Sequence, residues 1–114
     1  MILVAAMLLA QTPPPSPPRE MVTMGIGGNA CRTWEARRRA AGQDRATDKQ
    51  WLAGFLTGMD FAFQGMGGKA LVRNSDDPNV LIGFVDDYCS KHPLDTVATA
   101  TQYLWLELTQ RANR

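Results

Sequence analysis

Apolar residues form one unbroken run, Met1 to Ala10, and from residue 29 onward recur at helical spacing between short polar or glycine-containing breaks. Asn29 is placed to cap a first helix whose inner face carries Cys31, Trp34, the aliphatic stem of Arg38, and Ala41, with Gly42 as its stop. Thr47 and Gln50 stand in the capping-box arrangement, which predicts a second helix with Trp51, Leu52, Phe55, Met59 and Ala62 as its buried stripe. On that helix Gly54, Gly58 and Ala62 stand four apart. Glycine costs about 1 kcal/mol in a helix interior relative to alanine, so this strip predicts close packing against another backbone. Residues 65–75 contain three glycines and no period, and read as a loop.

Asp76-Asp77-Pro78 supplies a capping carboxylate followed by a first-turn proline, the start of a third helix with Leu81, Phe84, Val85, Tyr88 and Cys89 on its inner face. His92-Pro93 ends it. Asp95 is placed to cap a fourth helix, striped by Val97, Ala100, Thr101, Leu104 and Leu108, with Trp105 at the margin. Four short helices with short connections and no βαβ period predict an all-α domain.

The N-terminal run is too short to cross a bilayer, which takes about 20 apolar residues, and reads as a signal-peptide segment with Ala10 at the cut. Pro13 to Pro18, PPPSPP, favours an extended polyproline spacer; a motif for a proline-reading domain is the alternative. Met21, Val22, Met24 and Ile26 lead into Gly25, Gly27 and Gly28 as a short strand or a loop on the core. The expected organisation is a signal-like segment over 1–10, a Pro/Gly-rich linker over 11–28 and a helical domain over 29–114, located in the periplasm after cleavage.

Charge narrows the function more than size does. Across 114 residues and 12.5 kDa the formal charge is +1 and the pI about 7.8, so no strong field draws the molecule to nucleic acid or anionic lipid. Arg37, Arg38 and Arg39, with Arg45 and Lys49, make the one basic cluster and read as a solvated helix face, or as a contact for an acidic partner. Asp86 and Asp87 read as solvent-facing residues, and Asp76 and Asp77 as helix-start residues, not as catalytic acid–base pairs.

Candidate chemistry is sparse. Gly25-Ile26-Gly27-Gly28-Asn29-Ala30 satisfies the letters of a dinucleotide fingerprint, but a second helix follows where a parallel strand is required. The single histidine, His92, directly precedes Pro93 at a helix end and has no nucleophile to serve, so no catalysis is expected. Cys31, Cys89 and His92 lack a fourth strong ligand, so neither a metal nor another cofactor is expected. In an oxidising compartment Cys31 and Cys89 pair as a disulfide between the first and third helices; in a reducing one they are two buried thiols.

The order Cys31-x-x-Trp34, then WLAGFLTGMD over 51–60, then LIGFVDDYCSKHPLDTVATATQYLWLEL over 81–108, resembles the Tai-type immunity proteins. That resemblance implies a small periplasmic helical protein neutralising a peptidoglycan amidase delivered by type VI secretion. Gly54-Phe55-Leu56-Thr57-Gly58-Met59-Asp60 and His92-Pro93 are the matching elements. A single bridge from an early to a late helix is also similar to the HdeA-like acid-stress chaperones of the periplasm, and a housekeeping envelope protein of the same fold is the third reading. The leading expectation is an amidase inhibitor that binds through exposed, flexible positions: Asp60, Gln64, Met66, Lys69 and Arg73. The expected partner is a secreted amidase, without nucleic acid and without stable membrane insertion after processing; a homodimer stays open.

Overall fold

The computed structural model describes residues 23–40 and 45–113. The signal-like segment, the proline run, the inner-face residue Ala41 and the proposed stop at Gly42 lie outside the described residues. Four helices follow a short 3₁₀ turn at Gly25–Gly28: α1, Cys31–Arg39; α2, Ala46–Gly65; α3, Pro78–Lys91; and α4, Val97–Ala112. Among the described residues there is no strand, only an isolated bridge between Ala30 and Thr96. The all-α domain read from the pattern is the fold.

The helix starts show which local signals are used. Asp77 caps α3, accepting from Asn79 N–H at 2.9 Å, with Pro78 in the first turn. Asn29 is not the cap of α1. Ala30 holds that place, and the first free N–H groups are taken by another part of the chain: Cys31 N donates to Asp95 O at 2.7 Å and Arg32 N to Pro93 O at 3.1 Å. The capping box at Thr47 does not form either, because α2 begins at Ala46, which places Thr47 inside its first turn. Thr96, not Asp95, caps α4 by accepting from Thr99 N–H at 3.1 Å. Asp95 instead accepts the Tyr88 phenol O–H.

The core joins all four helices. Cys31 and Trp34 come from α1, Leu52 and Leu56 from α2, Ile82, Val85 and Cys89 from α3, and Val97, Ala100, Leu104 and Trp105 from α4. Cys31 and Cys89 are disulfide-bonded, with their Cα atoms 4.8 Å apart. The buried line of α2 runs Asp48, Leu52, Leu56, Asp60, rotated from the predicted stripe; Trp51, Phe55 and Met59 are half-buried and Ala62 is exposed. The expected close approach along Gly54 and Gly58 is absent: an added Cβ at either would meet nothing within 4 Å. A close approach is instead allowed at Gly27, where a Cβ would fall 2.2 Å from the Trp51 ring. The 3₁₀ turn, read as the end of a linker, therefore packs under Trp51, whose indole N–H donates to Met24 O at 3.2 Å.

Candidate functional site

The residues expected to meet a partner surround the loop from Met66 to Asp77, between α2 and α3. Asp60 fastens this loop from beneath. Its Oδ1 accepts the Leu71 N–H at 2.8 Å and its Oδ2 accepts from Gln64 Nε2 at 2.9 Å. Asp60 is thus 5% exposed, contrary to its expected place on the surface; a carboxylate with two donors is satisfied inside, and here it serves the loop. Gln64, Met66, Lys69 and Arg73 are exposed.

Glycine makes the loop's sharp exit from α2. Gly67 has φ +90°, a left-handed conformation that disfavours side chains, and its N–H donates to Gln64 O at 3.0 Å. Gly68 lies against the Phe63 ring so closely that a Cβ would sit 2.3 Å from it. Leu71 and Val72 then pack back on the core, and Arg73 N donates to Asp76 Oδ2 at 2.8 Å. Hydrogen bonds to α2 and within the loop thus fasten its path.

Next to the loop, α2 and its end carry large apolar side chains in water. Phe61 and Met66 are each 80% exposed, on the last turns of α2 and at its end. Phe61 was not among the expected contacts; its signal in the sequence is its position off the buried stripe, which places a large ring in water. Beside the loop an open cleft of about 520 Å³ runs between α2 and the start of α3, floored by Leu56, Val72 and Leu81 and edged by Asp60, Arg73 and Asp76.

A second group of polar residues is structural. Asp86 accepts the Trp34 indole N–H at 2.7 Å and Arg45 Nη1 on both oxygens at 3.0 Å, while Arg38 Nε stands 3.2 Å away. The Arg45 guanidinium also lies 4.7 Å from the Trp34 ring centroid. Asp48, buried on α2, pairs with Arg45 at 3.4 Å and with Arg37 at 2.7 Å, the latter an ion pair by distance rather than a hydrogen bond. The basic cluster is therefore not simply a solvated face, nor is Asp86 solvent-facing: tertiary structure folds them onto each other. Only Asp87 of that acidic pair stays exposed, 3.1 Å from Lys91.

At the far end of α3, the Tyr88 ring stacks between His92 at 4.3 Å and Tyr103 at 5.1 Å. Burial, reinforced by the bond to Asp95 and by the carboxylate's charge, pushes the Tyr88 phenol well above its ordinary range. Among the described residues no cluster of three His, Cys, Asp or Glu side chains is arranged for a metal, and no helix is long and apolar enough to cross a membrane. No protein-family model, curated protein or solved structure matches the chain.

Proposed function

We propose that this is an exported protein that works by binding another protein, as an immunity-like inhibitor of a secreted peptidoglycan amidase. The observation that carries the binding role is the exposure of two large apolar side chains, Phe61 on α2 and Met66 at its end, next to a fastened loop. A loop already fixed loses little conformational freedom on binding, and two large apolar side chains gain from being covered. Lys69 and Arg73 extend the same surface with positive charge. The amidase as partner, and the periplasm as location, rest on the sequence resemblance together with a disulfide that an oxidising compartment maintains.

The acid-chaperone reading has one observation on its side. That observation is the single bridge from an early to a late helix, Cys31–Cys89. One experiment separates the two. The protein is titrated at neutral pH into a peptidoglycan amidase of the type VI-secreted class, and separately tested for suppression of client aggregation in strong acid. One-to-one inhibition, lost in Phe61→Ser with Met66→Asp while the melting temperature holds, supports the inhibitor. Aggregation suppression without inhibition overturns it.

A further inference from the structure

α1 is built as a strap. Its principal helix neighbour is α3, and two antiparallel rungs join them: Cys31 to Cys89 and, one turn along, Trp34 to Asp86. The chain on either side of α1 has its own anchors. Upstream, Asn29 O accepts from Val97 N at 3.0 Å and the 3₁₀ turn sits under Trp51; downstream, Arg45 opens α2. Meanwhile α2, α3 and α4 pack on one another directly, around Leu52, Leu56, Ile82, Leu104 and Trp105. These three helices thus contact one another without α1 between them, while Trp34 of α1 is seated in the same core.

We propose that α1 is a thiol-released strap: reduction of Cys31–Cys89 frees the segment 31–39 alone and uncovers the side of α3 that carries Asp86 and Cys89, while α2, α3 and α4 stay folded. The reductant is a dithiol. One of its thiolates attacks a disulfide sulfur and displaces the other cysteine; its second thiolate then resolves the mixed disulfide. Two electrons pass to Cys31 and Cys89, which become thiols, and the dithiol becomes a disulfide. Both cysteines are fully buried, so attack waits for α1 to lift, and the Trp34–Asp86–Arg45 clasp sets how often it does. Once freed, a segment of nine residues is below the roughly 12–15 that an isolated helix needs, so it melts.

Hydrogen exchange read by mass spectrometry tests this on the full chain, oxidised, reduced with dithiothreitol, and as Cys31→Ser/Cys89→Ser. Amides of residues 31–39 should exchange at least about tenfold faster in the last two states, with those of 52–56 and 104–105 still protected. Loss of protection in all helices together overturns the proposal, as does a reduced protein whose α1 stays protected. In a second measurement, Asp86→Ala in the oxidised protein should be reduced by dithiothreitol at least about tenfold faster, since it loses the Trp34 hydrogen bond and the Arg38 ion pair that tie α1 to α3. Equal reduction rates would remove the clasp from the gate and overturn that part of the proposal.

Discussion

Trp34 donates its indole N–H to Asp86 at 2.7 Å, one helical turn from the disulfide that joins the same two helices. The same carboxylate takes Arg45 from the start of α2, so one side chain links three helices. Asp86→Ala leaves the Trp34 indole N–H without its acceptor and leaves Arg45 with only its longer contact, to Asp48, in a partly buried place. The expected loss is about 2–3 kcal/mol in urea denaturation, below the ~3–5 kcal/mol of a fully buried pair because solvent still reaches the arginines. Asp87→Ala, one residue on and exposed, should change stability by about 0.5 kcal/mol or less.

The cap assignments make a paired test. Asp77→Ala and Thr96→Ala each remove a side-chain acceptor from a helix start and should each cost about 1 kcal/mol. Asn29→Ala and Thr47→Ala remove no such cap and should cost no more than about 0.5 kcal/mol. Equal losses across the four variants would contradict the helix starts described above.

Glycine replacements should split by position. Gly54→Ala and Gly58→Ala place a methyl in open space on a helix and should each stabilise by about 0.5–1 kcal/mol. Gly68→Ala drives a methyl into the Phe63 ring and should destabilise, with the loop shifting first. Melting temperatures of the three variants check the signs.

Tyr88 gives a pH dependence at the alkaline end. Its folded-state pKa is raised above the ordinary 10.0, so the folded chain holds the phenol proton more tightly than the unfolded chain does. The resulting stability is complete below pH 10.0 and falls as pH rises beyond it. Tyr88→Phe should flatten that decline in denaturation curves taken on both sides of this value. A decline of unchanged slope in the variant would assign it elsewhere.

Periodicity and punctuation decided which segments are helices. Asp77-Pro78 and His92-Pro93 bound α3 by steric and hydrogen-bonding rules that act within a few residues, and the spacing of Val97, Ala100, Thr101 and Leu104 needs nothing beyond its own helix to declare a buried face. The cysteines, on the inner faces of two helices, marked the pair that bonds. Contacts across the chain decided the rest. Asp86 is 52 residues from Trp34 and 41 from Arg45, so no local pattern distinguishes it from its exposed neighbour Asp87. Asp60 was legible as a polar residue at a helix end, but only a loop returning eleven residues later, with Leu71 N–H in place, turns it inward. The start of α1 needed no side-chain cap because Pro93 and Asp95 bring carbonyls to it. Local rules fix the backbone of each helix; which polar groups are buried depends on which partners the packed helices bring within bonding distance.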